Sequence, residues 1–289
     1  MCRRYISLLL CFILIGTSLM ASTHKKEKPT KKGILLVAFG TTVPSAKVAL
    51  VNMYQKVEKA FPDTEIRWAY TSAFIRKKLK KQGEDIDSPI VAISKMADEG
   101  FTHIAVQSMH TIPGLEYEYL EQTVKSIMEI PKGPRKIEIG RPLLYAHEDI
   151  EVTVKAMIAN FPERKKDEAM ILMGHGTPHI SNVFYPAMNY YFAEECEHVY
   201  MGTVEGYPSI EDVIAKLKLN GIKKAFMMPF MSVAGDHAKN DMCGEGEDSW
   251  YNMLTAAGIE VECIIKGTGE MNEVVSIWVE HLKDSFDKL

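Results

Sequence analysis

The amino-acid sequence predicts an α/β protein of two similar doubly wound parallel-sheet domains facing each other across a central cleft. Three observations predict this. From residue 33 onward, short apolar runs alternate with helix-spaced amphipathic stretches, the signature of βαβ units and a parallel sheet. The first half of this pattern recurs in the second half, segment by segment and in the same order. The apolar runs end in Gly- and Pro-containing turns, where an open α/β sheet binds its ligands.

Each element has its own justification. "GILLVAFGTTVPSA" reads as a buried strand ending at Gly40, and residues 45–60 then carry helical spacing, stopped by Phe61-Pro62. "EIRWAYTSAF" and "THIAVQSMHTIPG" are the second and third strands, each followed by a helical stretch, and "RKIEIGRPLLY" is the fourth. In "AMILMGHGTPHIS" the apolar run Met170–Met173 is again a buried strand, and Gly-His-Gly-Thr-Pro is the turn that leaves it.

The repeat aligns "ILLVAFGTT" with "AMILMGHGTP", setting Phe39 against His175. It aligns "WAYTSAFIRKKL" with "GTVEGYPSIEDVIAKL", setting Ser72 near Glu205. "IAVQSMHTIPGLE" pairs with "AFMMPFMSVAGDH", setting Glu116 against His237, and "IEIGRPLLYAHEDIEVTV" pairs with "VECIIKGTGEMNEVVSIW". The gaps differ between segments, so the pattern is that of an ancient duplication rather than a tandem array. The domains expected are residues 33–166 and 167–289, with exchange of terminal helices compatible with the pattern.

The first residues differ from the rest. In "MCRRYISLLLCFILIGTSLMAS", Arg3 and Arg4 precede an uncharged apolar stretch and then small residues, the layout of a secretory signal peptide over 1–21. Cleavage after Ala21 is expected, although Leu19 is a poor fit three residues upstream; an uncleaved anchor over Tyr5–Thr23 is the alternative. Either reading exports the chain to the periplasm or envelope, and the basic stretch 22–32 is then a solvated tether. Cys196, Cys243 and Cys263 are widely spaced, so no disulfide framework is expected, and without a CxxC pair no structural zinc.

Composition removes several function classes. A net charge of −4 and a pI near 6.2 leave no nucleic-acid footprint. The chain has no GxxxxGK[ST], no GxGxxG opening a helix and no GxSxG, so nucleotide-driven, dinucleotide-dependent and serine-hydrolase chemistry lack their motifs. What remains is His175, Glu205 and His237, each following a strand of the second half at spacings of 30 and 32 residues. Two imidazoles and a carboxylate are a common set for a divalent transition metal with open coordination positions. Glu116 falls on a matching cleft loop of the first half. Among other candidates, Cys243 is either a soft ligand or a packed helix residue, and His110 lies near the cleft loops. His179 reads as surface or structural, Met227, Met228 and Met231 read as core, and His24, His198 and His281 read as solvated face.

The segments "MGHGTPHISNVFYPAMNYYF", "GTVEGYPS", "MPFMSVAGDHAKNDMCGEGEDSW" and "VQSMHTIPGLEYEYL" resemble the anaerobic sirohydrochlorin cobaltochelatase family, CbiK, over nearly all of residues 33–289. The resemblance implies two α/β domains around a tetrapyrrole cleft, with His175, Glu205 and His237 holding the metal and Glu116 across the cleft. It implies a chelatase that inserts Co2+, or Fe2+ or another divalent metal, into sirohydrochlorin or a related tetrapyrrole without a nucleotide. The catalytic residues expected are His175, His237 and Glu116. The partners expected are the macrocycle and the metal ion, with a homo-oligomer compatible and nucleic acid excluded. Export is the departure from many family members, so an exported haem- or iron-binding protein, or a haem dechelatase in iron acquisition, stands as the alternative.

Overall fold

The computed structural model describes residues 29–289, so the signal segment 1–21 and most of the tether lie outside the described residues. Four parallel strands form the first sheet: β1 (Lys32–Ala38), β2 (Glu65–Tyr70), β3 (His103–Ser108) and β4 (Lys136–Gly140), in the order β2-β1-β3-β4. Helices α1 (Lys47–Ala60), α2 (Ala73–Lys81), α3 (Pro89–Asp98), α4 (Leu115–Met128) and α5 (His147–Ile158) connect or follow them.

The second sheet repeats the plan with β5 (Glu168–Gly174), β6 (Val199–Thr203), β7 (Lys224–Pro229) and β8 (Glu260–Cys263), in the order β6-β5-β7-β8. Its helices are α6 (Phe184–Glu195), α7 (Ile210–Leu219), α8 (Trp250–Ala256) and the C-terminal α9 (Asn272–Phe286). The two α/β domains and their parallel sheets are as the sequence predicts, and the repeat extends to detail. Gly40 and Gly176, aligned by sequence, both adopt a left-handed backbone, with φ of 94° and 81°. Among the described residues no helix is long and apolar enough to cross a membrane.

Both faces of each sheet are covered, which is why the strands read as continuous apolar runs. Along β1, Leu35 and Val37 point into an outer core with Ile93, Phe101 and Leu120, while Ile34 and Leu36 point the other way. Along β5, Ile171 and Met173 enter a second outer core with Trp250, while Met170 and Leu172 share one inner core with Ile34 and Leu36. The lobes are thus joined by a common apolar interior. Met227 and Met228 are fully buried core residues, as their strand spacing predicts.

α9 contributes to that interior from the first lobe's side. It packs on β3 and β4 and buries Val274, Val275, Trp278 and Leu282 completely. Each such side chain contributes roughly 1.5–3 kcal/mol by leaving water. His281, expected on a solvated face, is instead buried. Its Nδ1 faces the Arg141 carbonyl at 3.1 Å and its Nε2 faces Asp149 Oδ1 at 3.0 Å. Both ring nitrogens thus face acceptors, a backbone carbonyl and a carboxylate, in the interior. The charged residues around it, Glu280, Lys283 and Asp284, form the outer face of the same amphipathic helix.

Candidate metal centre

His175 stands one residue beyond the end of β5, and the glycines on either side have separate reasons. A Cβ at Gly174 would lie 2.3 Å from the Tyr185 ring, which is buried beneath the turn. The Tyr185 hydroxyl hydrogen-bonds to the backbone of Gly176 and His175, and burial raises its pKa to about 12, so it stays protonated. At Gly176 the positive φ alone favours glycine. A Cβ there would also lie 2.6 Å from the Gly206 nitrogen and 2.7 Å from the Glu205 carbonyl carbon. The second glycine is what lets the Glu205 loop close onto the His175 turn.

That closure is stitched by backbone hydrogen bonds. Val204 N donates to the Gly174 carbonyl at 3.1 Å, and Glu205 N donates to the His175 carbonyl at 2.8 Å. Asn182 bridges the same two loops, accepting from Thr177 N at 3.2 Å and donating to the Tyr207 carbonyl at 2.8 Å. The loop after β6 is longer than its first-lobe counterpart. Ser72, aligned near Glu205 in the repeat, caps α2 by accepting from Ile75 N, a role that Ser209 plays for α7. Glu205 sits within this longer loop, residues 204–209.

His237 arrives from β7 through a loop and precedes a single π-helical turn, Ala238–Met242. Such turns recur at functional sites because they re-aim a side chain within a helical segment. Here the turn brings Asp241 Oδ2 to 2.5 Å from His237 Nδ1. The imidazoles of His175 and His237 stand edge to face, with centroids 4.7 Å apart. One ligand atom from each of His175, Glu205 and His237 lies within 4.8 Å of the others. A metal bonded at about 2.1 Å holds its donor atoms roughly 3–4 Å apart, so small side-chain rotations complete the set.

The second contacts fix the tautomers. His175 Nδ1 donates to the Gly176 carbonyl at 2.8 Å, and His237 Nδ1 donates to Asp241. Each ring therefore keeps its Nε2 lone pair for a metal, the arrangement in which an outer carboxylate or carbonyl orients a ligating histidine. Asp241, Tyr185 and Asn182 escaped the sequence reading. Asp241, four residues after His237, was the only one of these with a detectable signal there, a carboxylate at helical spacing from a candidate ligand.

Glu116 lies in the first turn of α4, half-buried, and the structure does not bring it into the cluster. The start of α4 does face the second lobe. A Cβ at Gly114 would lie 3.3 Å from Ser181 Oγ, and Glu118 Oε1 meets His179 Nε2 at 3.0 Å. His179 thus links the lobes. His110 lies two residues past β3 with Nδ1 on Ser108 Oγ at 2.9 Å, and burial pushes its imidazole down to about 4, which keeps it neutral.

Cys243 is neither a ligand nor a helix residue. It closes the π-turn and is disulfide-bonded to Cys263 at the end of β8, correcting the expectation of no disulfide. The two are distant in sequence but are brought together because β8 lies beside β7, whose loop carries Cys243.

A surface cavity of about 480 Å³ opens beside the cluster, walled by Pro178, Ile180, Val183 and Tyr207 with Glu205 at its edge. A second cavity, of about 600 Å³, has Glu211, Asp241, Glu247 and Asp248 among its lining residues, with Trp250 and Met253.

The chain has relatives among known proteins. The chain is 38% identical over 254 residues to a sirohydrochlorin cobaltochelatase, CbiKC, of Nitratidesulfovibrio vulgaris, covering 88% of this chain and 90% of that protein. It is 32% identical over 259 residues to the sirohydrochlorin cobaltochelatase of Salmonella typhimurium, covering 89% and 97%. Among solved structures it resembles SirB from Bacillus subtilis with Fe3+, with a TM-score of 0.59 at 16% identity over 89% of this chain and 96% of that one. It also resembles CbiX, the terminal enzyme of sirohaem biosynthesis in denitrifying bacteria, with a TM-score of 0.52 at 15% identity over 88% and 99%. These two likenesses place the fold. Residues 32–287 match the family described as cobalt chelatase (CbiK), and the chain therefore belongs to that family and is a metal-inserting enzyme.

Proposed function

We propose that this enzyme inserts Co2+ into sirohydrochlorin or a closely related tetrapyrrole, without a nucleotide and outside the cytoplasm. The observation that carries the proposal is the convergence of His175, Glu205 and His237 at strand ends of one lobe, with both Nδ1 atoms already committed. The two Nε2 atoms and the Glu205 carboxylate hold the incoming metal and strip part of its hydration. The carboxylate offsets the ion's charge so that it can be passed on. The names of the relatives support cobalt and sirohydrochlorin, and Fe2+ is the competing metal.

Insertion exchanges one divalent ion for two pyrrole protons. His175 and His237 become free bases as the ring nitrogens replace them as ligands, so they can accept protons at that moment. Glu116, on the opposite lobe, serves as a further proton acceptor or orients the ring. The cavity beside Glu205, with apolar side chains on part of its wall, suits a planar macrocycle lying against Ile180 and Tyr207. The stability of the metallated product drives the reaction, so no nucleotide is needed.

Export is supported by the Arg-led apolar segment and by the Cys243–Cys263 disulfide, a bond that persists in oxidising compartments. The test of function is anaerobic incubation of purified protein with sirohydrochlorin and either Co2+ or Fe2+, followed by absorption spectra. The proposal expects faster metallation with Co2+ and no dependence on ATP. Protein that binds haem through His175 or His237 and metallates no free-base ring would replace it with a haem-carrier reading.

A further inference from the structure

We infer that the Cys243–Cys263 disulfide is a positioning element for the metal centre, acting through Asp241 on the His237 imidazole; the inference rests on the ligand assignment proposed above. The segment that carries His237 leaves the second sheet at Pro229, the end of β7. It runs through Gly235 and His237 into the five-residue π-turn and then into an irregular stretch, 243–249, whose residues 245–248 are exposed. A lone π-turn is not stable by itself, since short helical turns leave most of their backbone groups unpaired.

Two anchors hold the far end of that turn. Met242 is fully buried in the outer core of the second lobe. Cys243, the next residue, is bonded to Cys263, with Cα atoms 6.3 Å apart. Cys263 is a fixed point, because β8 pairs with β7 through Met227 and Ile264 N donates to the Met227 carbonyl at 2.8 Å. The disulfide therefore returns the His237 segment to the sheet it left, two residues after Asp241. Asp241 is what aims His237: its carboxylate sits 2.5 Å from Nδ1, and both side chains are only half-buried, at 43% and 32% exposure. Among the described residues His237 is its hydrogen-bond partner, so the backbone of the π-turn sets where the carboxylate stands. Loss of the covalent link leaves Met242 as the remaining anchor of the two, and the orientation of the imidazole loosens with it.

The role is one of positioning, since neither sulfur lies among the ligand atoms. Its test is Co2+ titration of the oxidised wild type, C243A/C263A, D241N and the triple variant, at a temperature well below the unfolding of each. We expect C243A/C263A to bind Co2+ about tenfold more weakly, the usual scale for loss of an outer-shell partner. We expect the two cysteine changes to add nothing once D241N is present, because both act on the same imidazole.

Should C243A/C263A fail to fold, wild type reduced by a phosphine and desalted takes its place. The phosphine gains oxygen from water, and the two protons of that water end on the two thiols. Unchanged Co2+ affinity without the disulfide overturns the inference, and so does a cysteine effect that persists in full in D241N. Wild-type affinity retained in H175A would instead overturn the ligand assignment, and the inference would fall with it.

Discussion

The repeat supplies a matched pair of substitutions, Gly176→Ala and Gly40→Ala. Both glycines follow the first strand of a lobe and both have positive φ, so an alanine at either costs about 1–2 kcal/mol of backbone strain. Each new Cβ also meets an atom too close, which adds roughly 1–3 kcal/mol of overpacking. Total losses of about 2–5 kcal/mol are expected at both sites, and the melting temperature should fall by roughly 2–4 °C for each kcal/mol.

What the Cβ meets is different in the two lobes. At Gly40 it is the Tyr70 ring, 2.5 Å away, a side chain that can turn aside. At Gly176 it is the backbone of Glu205 and Gly206, which can yield only by carrying Glu205 away from His175. Co2+ affinity should therefore fall about 10–100-fold in G176A and stay at the wild-type value in G40A. Thermal unfolding and Co2+ titration of the two variants measure both quantities. Wild-type affinity in G176A, or an equal loss in G40A, would refute the claim that Gly176 exists to seat Glu205.

Three further outcomes are expected. Glu116→Gln should slow metal insertion while leaving Co2+ binding near wild type, since it removes a proton acceptor and no ligand; steady-state insertion rates alongside titration would show it. The Asp149 carboxyl is buried, which alone would raise its pKa, but the Ala146 N–H, Arg141 and His281 outweigh burial and hold it below the usual carboxylate range. Its stabilising contribution is thus complete above about pH 4 and is lost as pH falls through the depressed value. D149N, which removes the carboxylate facing the buried His281 while Arg141 keeps Asp284, should cost about 3–5 kcal/mol at neutral pH and flatten the acid limb of a stability–pH curve. Fractionation with N-terminal sequencing should find a chain beginning near Ser22 outside the cytoplasm, and an intact Met1 on cytoplasmic protein would contradict export.

The architecture was legible in the sequence because burial on both faces of a parallel strand leaves continuous apolar runs, and a duplicated gene writes them twice. "GILLVAFG" and "AMILMGHG" show the repeat down to the left-handed glycine that follows each strand. The three candidate ligands were legible for a related reason, since each stands on a loop after a strand. Their supports were not. Tyr185 lies in the helix after His175, and its hydroxyl reaches back under the turn only when α6 packs. Asn182 joins loops separated by most of a βα unit. Cys243 and Cys263 belong to different elements that meet because β8 flanks β7. His281 was misread because its neighbours in sequence are charged, whereas its neighbours in space are Asp149 and Arg141 of the other half. In each case the information lies in the packing of distant segments, which local pattern does not carry.

The central claim is that His175, Glu205 and His237 together receive the metal that this enzyme inserts. It is tested most directly by an anomalous difference map from crystals soaked in Co2+, recorded for wild type and for H237A. One strong cobalt peak is expected in wild type, about 2.1 Å from the Nε2 atoms of His175 and His237 and in contact with Glu205, and its loss in H237A. A cobalt peak elsewhere in the cleft, or one that survives in H237A, would contradict it.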